Sequence, residues 1–245
     1  MERCPGSRLL RQPKPEVFTC PSCGKEVEIW SDEFKARCRN CGKPVYRSSA
    51  MSCLEWCAMA EECVGTQVYD SFRANREIGI KQSLIKELEN HFGDDGKRVD
   101  HAKRVLRYAE ELLKKESGDW HVIVPASILH DVGIKAAESK YGSAAGHFQE
   151  KEGPEIAKKI LFRVGLRMQA ITEICEIIAH HHTPDAIDTQ NFKVLCDADM
   201  LVNLEEMLEG KDKIEKERII GRVFLTPTGG EIAANEYLAG SPEIR

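Results

Sequence analysis

The stretch Ser127-Ile128-Leu129-His130-Asp131-Val132-Gly133 sets an adjacent histidine and aspartate at the end of an apolar run. Apolar side chains pack there readily. An imidazole or an ionised carboxylate in the same place needs a hydrogen-bond partner, a counter-charge or a metal ion, because desolvating either alone is costly. A plainer reading is a helix C-terminus, with His130 bonded to the last carbonyls and Gly133 in the left-handed conformation. The company the pair keeps along the chain decides between the two.

Upstream, Phe72 begins a region of helical periodicity. Residues 75 to 92 carry Ile78, Leu84, Ile85 and Leu88 on one stripe. Residues 98 to 115 carry Ala102, Val105, Leu106, Ala109, Leu112 and Leu113, with His101 at the stripe's edge. A lone His there is a satisfied core residue unless other ligand types converge on it. Trp120 to His130 forms the next helix, with Asp119 as its N-cap. Downstream, Gly133 to His147 reads as an irregular stretch long enough to lie over a pocket, and His147 alone could be a solvated loop residue. A helix then starts at Glu152-Gly153-Pro154-Glu155. The helix over Gln169 to His182 ends in three histidines. With Ile171, Ile174, Cys175 and Ile178 inward, the 3.6-residue period turns His181 and His182 inward and His180 outward, and Pro184 stops the helix beyond them. Val194 to Leu208 is a further core helix with Asp197 and Asp199 inside an apolar segment. A charged helix over 211 to 221 and a closing helix over 231 to 239 complete a mainly α body.

The N-terminal part is different. Cys20-Pro21-Ser22-Cys23-Gly24 and Cys38-Arg39-Asn40-Cys41-Gly42 are two Cys-x-x-Cys-Gly turns separated by fourteen residues. Each turn points two thiolates at one ion, and two turns complete a tetrahedral sulfur site. Val27, Ile29 and Trp30, then Phe34 and Ala36, suggest two strands of a hairpin between them. Residues 16 to 47 resemble a zinc ribbon, with structural zinc on Cys20, Cys23, Cys38 and Cys41, and a protein or nucleic-acid partner as its possible use. Residues 1 to 15, rich in Pro and Arg, read as a flexible leader. Residues 48 to 71 form a connector with Cys53, Cys57 and Cys63, which either pack as buried thiols or hold a further metal.

Eight of the ten cysteines fall within the first 63 residues. With no apolar export signal and no run long enough to span a bilayer, they point to metal ligation in a cytoplasmic protein rather than to disulfides. The net charge is −5, yet residues 1 to 50 hold ten Lys or Arg against six Asp or Glu. That is compatible with an acidic partner and too weak to argue for one.

In chain order, His101, His130-Asp131 and Asp199 resemble the HD superfamily of metal-dependent phosphohydrolases, over residues 72 to 245. His101-Ala102-Lys103-Arg104-Val105 looks like the family's His-x-x-Arg-Val helix. Leu129 to Lys135 looks like its His-Asp-Ile-Gly-Lys signature, and Ala198-Asp199-Met200-Leu201 like its closing Ala-Asp-Lys-Leu element. The resemblance implies an HD-domain helical bundle with the small β zinc ribbon ahead of it. It makes Asp199 a ligand, with Asp197 supporting it from behind. His147, His181 and His182 extend the likeness to the two-metal branch. There Asp131 bridges two ions, with His101, His130 and Asp199 on one and His147, His181 and His182 on the other. The implied activity is hydrolysis of a phosphate ester or nucleotide by a metal-bound hydroxide on one or two divalent ions (Fe, Mn or Zn). The catalytic residues would be His130 and Asp131. Met200 replaces the Lys or Arg that often contacts phosphate, which leaves Lys135 or Arg104 for that task, and no Gly-Tyr-Pro follows the histidines. Two other readings carry the same ligands: a di-iron HD-type oxygenase, and a nucleotide-sensing regulatory or scaffold protein that acts through the ribbon.

Overall fold

The computed structural model describes residues 12–31, 33, 35–46, 54, 57–183 and 186–238, and the chain divides into two units, Met1–Ile80 and Lys81–Arg245.

In the first unit, β1 (Pro15–Thr19) pairs antiparallel with β2 (Glu26–Trp30), and β3 (Lys35–Arg37) pairs antiparallel with β4 (Pro44–Tyr46). The sequence suggested one hairpin between the cysteine pairs. The structure instead makes two hairpins, each with a Cys-x-x-Cys-Gly turn at its tip. Gly24 and Gly42, both at φ +70°, donate to the carbonyls of Cys20 and Cys38 and close those turns in a conformation that favours glycine. Val27 and Ile29 alternate inward on β2 and pack with Val45, Cys20 and Cys38. Phe34, Cys53 and residues 1 to 11 of the leader lie outside the described residues, whereas Pro15 already opens β1. Leu54, Ala60 and Phe72 form a separate small core with half-buried Cys57 beside it. A short helix, α1 (Ala60–Val64), precedes α2 (Thr66–Phe92). α2 therefore begins nine residues before the expected start at 75, and its buried line is Ile80, Leu84, Leu88 and Phe92, with Ile78 exposed.

The second unit continues with α3 (Gly96–Leu112), α4 (Trp120–Leu129), α5 (Ile134–Tyr141), α6 (Gly146–Val164), α7 (Met168–Ile178), α8 (Gln190–Leu208), α9 (Lys213–Val223) and α10 (Pro227–Tyr237). Its centre is α4, whose residues Val122 to Leu129 are all buried. α3, α7 and α8 pack around it, and α6 touches it more narrowly. A short helix buried on every side presents no polar stripe, so the His-Asp pair at its end is delivered directly into the interior. Asp119 caps α4 by accepting from the His121 amide at 2.8 Å, as its place in the sequence suggests.

Four helices of this unit, α5, α6, α7 and α10, differ from expectation. The stretch after Gly133 is α5 rather than an irregular cover, because Ile134-Lys135-Ala136-Ala137-Glu138 is made of helix formers and the break waits for Gly142 at φ +67°. α6 begins at Gly146 and carries Pro154 inside it rather than near its start. α7 ends at Ile178, so the three histidines lie in the turn after the helix. Pro184 lies outside the described residues. α10 starts earlier than 231, with Thr226 as N-cap and Pro227 at the first helical position. Among the described residues no helix is long and apolar enough to cross a membrane.

Asp197 also does something other than expected. It is fully buried and accepts from the Leu225 amide (2.7 Å), the Thr226 amide (2.8 Å) and the Thr226 hydroxyl (2.6 Å). It thus ties α8 to the start of α10 and does not support Asp199, because two positions along a helix turn its side chain away from that of Asp199. Burial raises its carboxyl from the ordinary value even though the three donors act against that. Asp197→Ala strands three donors, the two on Thr226 buried, and the expected loss is about 2–4 kcal/mol of folding stability with the metal content of the helical unit unchanged. Denaturant melts and metal analysis of the variant check both halves; metal loss without a stability loss would contradict this assignment.

Candidate metal centre

Four elements converge on one spot. His101 comes from the second turn of α3, His130 and Asp131 from the end of α4, Asp199 from the middle of α8, and His181 and His182 from the turn after α7. His101 Nε2 lies 3.0 Å from Asp199 Oδ1, 3.3 Å from His130 Nε2 and 3.6 Å from Asp131 Oδ2. His130 Nε2 lies 3.3 Å from Asp131 Oδ2 and 3.6 Å from Asp199 Oδ1. Ligands bound at about 2.1 Å to one ion are separated by roughly 3.0–3.4 Å, so these four side chains stand close to the spacing of a single coordination shell.

The backbone decides which nitrogen each imidazole offers. His130 Nδ1 is 3.0 Å from the Ser127 carbonyl and His181 Nδ1 is 2.8 Å from the Ile178 carbonyl. A carbonyl only accepts, so each Nδ1 carries the hydrogen and each neutral ring turns a bare Nε2 inward. His181 Nε2 is buried without a hydrogen-bond partner, 3.6 Å from Asp131 Oδ1. Burial disfavours charge on His130, yet the adjacent Asp131 and Asp199 carboxylates outweigh it and hold the imidazolium well above the ordinary range. Burial likewise opposes charge on Asp131 and Asp199, but the neighbouring imidazoles hold both carboxyls well below theirs. A proton here takes the place of a cation, and a metal ion would displace it. The donor set therefore fits a divalent ion.

A second group adjoins the first. Asp131, His181 and His182 bring one donor atom each within 4.8 Å of one another, as do His101, His130 and Asp131. The two carboxylate oxygens of Asp131 thus face different groups. His180 stays outside, its Nδ1 bonded to the Glu176 carbonyl at 2.9 Å. His147 is not brought in: it is exposed in the first turn of α6, with its ring centroid 3.9 Å from that of Phe148. The expected phosphate contacts are placed elsewhere as well. The Lys135 ammonium donates to the His91 carbonyl at 3.0 Å, and Arg104 sits 3.7 Å from Glu205 with half its side chain exposed.

Several supporting residues escaped the sequence. His91 Nε2 lies 2.9 Å from the Val132 carbonyl and holds the turn after Asp131. Asn203, four residues past Asp199 on α8, donates to Asp199 Oδ1 at 3.1 Å, a pairing that helical spacing could have flagged. Gly133 is not a left-handed cap; its φ is −70°. What it provides is room. A Cβ there would run into the backbone carbonyl of Gln149 and stand 2.8 Å from the Gly153 nitrogen. A Cβ on Gly146 would stand 2.7 Å from the His182 ring, and one on Gly153 2.8 Å from Ile178. These three glycines let α6 press against the centre.

In the first unit, Cys20, Cys23, Cys38 and Cys41 cluster, with Sγ pairs Cys20–Cys41 and Cys23–Cys38 each at 3.6 Å. That is far beyond a disulfide and near the spacing of about 3.8 Å for sulfurs around a tetrahedral zinc ion. The Lys25 amide, first among several donors, lowers the Cys23 thiol to about 6, while Cys41 stands at about 11 because burial and the neighbouring thiols outweigh the Lys43 amide. Four thiols this close do not ionise together without a cation. Cys53 and the side chain of Cys63 lie outside the described residues.

Residues 98–220 match the family model described as HD domain. A solved structure of a predicted HD superfamily hydrolase from an uncultured Thermotogales bacterium aligns with 64% of this chain and 85% of its own, at 24% identity and a TM-score of 0.48. No curated protein matches the chain.

The close approach of α6 yields a direct test. Gly133→Ala is expected to force α6 away, lowering both thermal stability and metal content. Gly142→Ala, at φ +67° with open space around it, should cost about 1 kcal/mol of backbone strain and leave metal binding intact. Equal metal content in the two variants would contradict the role given to Gly133.

Proposed function

Because the chain belongs to the HD-domain family, a family of metal-dependent hydrolases, we propose that it hydrolyses a phosphate ester, with a nucleotide-like molecule as the substrate class. The observation that carries this reading is the pair of imidazole nitrogens, His101 Nε2 and His130 Nε2, 3.3 Å apart between the carboxylates of Asp131 and Asp199. With its Nδ1 hydrogen committed to the Ser127 carbonyl, neutral His130 turns a bare Nε2 toward His101 and both carboxylates, a place suited to a shared cation. Divalent ions held by such donors would lower the pKa of a water molecule and draw charge from a phosphoryl oxygen.

The chain's own residues do the rest. Asp131 offers one oxygen to His101 and His130 and the other to His181, which supports a two-ion reading with Asp131 as the bridge. Ser127 and Ile178, through their carbonyls, keep His130 and His181 in the tautomer that presents Nε2. Asn203 keeps Asp199 oriented. Arg104 lies one turn beyond His101 on α3, and its loose surface pairing with Glu205 lets it turn to an incoming phosphate; we assign it that contact in place of Met200. No nucleophilic Ser or Cys stands in the cluster among the described residues, so attack by water is favoured over a covalent route. In the cysteine cluster every position is filled by protein, so zinc there would fold the ribbon and take no part in the reaction.

His130→Ala and Asp131→Ala are expected to abolish phosphate release from a panel of nucleotides, cyclic dinucleotides and sugar phosphates. They should also lower metal in the helical unit while one zinc per chain persists in the ribbon. His180→Ala should keep wild-type turnover. Undiminished phosphate release by either of the first two variants would overturn the mechanism. Oxygen consumption by the reduced iron form without any phosphate release would favour oxygenase chemistry instead.

A further inference from the structure

The second group of ligands is short of a donor. Asp131, His181 and His182 supply three, and His147 is exposed against Phe148. Two residues further into α6, on the other side of the helix, Gln149 is buried, 7% exposed. Its Nε2 donates to the Ala144 carbonyl at 2.6 Å, and this sets the amide's orientation, since an amide oxygen in that position would oppose another oxygen. The Oε1 that remains points to His182 and lies 3.4 Å from its Nε2. That separation is long for a hydrogen bond and close to the roughly 3.4 Å between two donors sharing a tetrahedral ion with bonds of about 2.1 Å. It also nearly repeats the 3.3 Å between His101 Nε2 and His130 Nε2 in the first group.

The surrounding backbone is arranged for this approach. The Gln149 carbonyl is the atom for which Gly133 makes room, so residue 149 is pressed against the turn that carries Asp131. Gly146 lies against the His182 ring, and Glu150 accepts from both the His182 amide (3.0 Å) and the Thr183 hydroxyl (3.2 Å). The first two turns of α6 thus hold the His182 turn: Glu150 takes its backbone amide, and Gln149 turns its Oε1 toward the ring nitrogen.

We propose that Gln149, and not His147, is the α6 ligand of the second ion, so that this ion is held by Asp131, His181, His182 and a neutral amide oxygen. The proposal rests on the two-ion reading above. An amide oxygen is a harder and weaker donor than imidazole, so the second site favours manganese or magnesium over zinc relative to a site completed by histidine.

The test uses the full chain, stripped of metal in the helical unit and reloaded with Mn2+ while the ribbon zinc is retained. Bound manganese is counted by elemental analysis, and the spin-coupled pair is followed by electron paramagnetic resonance. Wild-type protein and His147→Ala should each hold two manganese ions and show the coupled signal. Gln149→Met, nearly the same size but without the oxygen, should hold one and lose the coupling. Gln149→Glu, which keeps the oxygen and adds charge, should hold two, with the second bound at least tenfold tighter. Loss of the second ion in His147→Ala, or its full retention in Gln149→Met, overturns the assignment of Gln149 while leaving the two-ion reading in place. A single ion in the wild type removes both. Because His147 is on the surface, its variant tests the exclusion of His147 even if Gln149→Met folds poorly, and tighter binding of the second ion in Gln149→Glu then tests Gln149 itself; unchanged affinity in Gln149→Glu overturns the assignment.

Discussion

Two carboxylates, Asp131 and Asp199, are carried into the interior where helices α3, α4 and α8 cross, and nothing apolar can satisfy them. Either a proton on His130 or a metal ion must balance that charge, and the architecture is built to keep the choice open. α4 is buried around its whole circumference from Val122 to Leu129, so it can be surrounded by helices while the residue that follows it, His130, delivers the imidazole. Carbonyls at Ser127 and Ile178 then set the tautomers without adding charge. Were any one of these supports removed, the buried charges would still be present and would cost several kcal/mol each.

The helical body was legible to the extent that burial imposes periodicity. The stripe of α3 and the apolar run of α4 could be read directly, and the phase of α7 put His181 and His182 together with His180 apart, although all three stand beyond the helix end. What stayed hidden was set by contacts between backbones. Gly133, next to a helix end, looks like a residue chosen for left-handed φ, yet its conformation is ordinary and its role is steric. Pro154 looked like a helix start because its position relative to α7 is a tertiary matter. Asp197 and Asp199 cannot be told apart by composition, since both sit in the same apolar segment. Only the Leu225–Thr226 turn, 28 and 29 residues away, shows which one is structural.

The N-terminal unit shows the opposite balance. There the cysteine spacing announced the cluster in full, while the strand pairing was misjudged. A hairpin needs only local alternation, and the two segments around Val27–Trp30 and Ala36 offered it; each in fact pairs with a strand across its own Cys-x-x-Cys turn, which keeps two thiols at one tip. The ligand pattern was therefore a better guide than strand propensity, as expected for a module whose core, among the described residues, is five residues, two of them cysteines.

The seam between α6 and the α4–α5 turn bears on how this chain can vary. Gly133 meets backbone, Gly146 the His182 ring and Gly153 the Ile178 side chain, each with no space for a methyl group, so none of the three can change without its neighbour shifting. Gly142, by contrast, faces open space at the end of α5. Change therefore has an inexpensive route at residues 142 and 143, where insertions can accumulate in descendants or be placed by a designer ahead of the Ala144 carbonyl that holds Gln149.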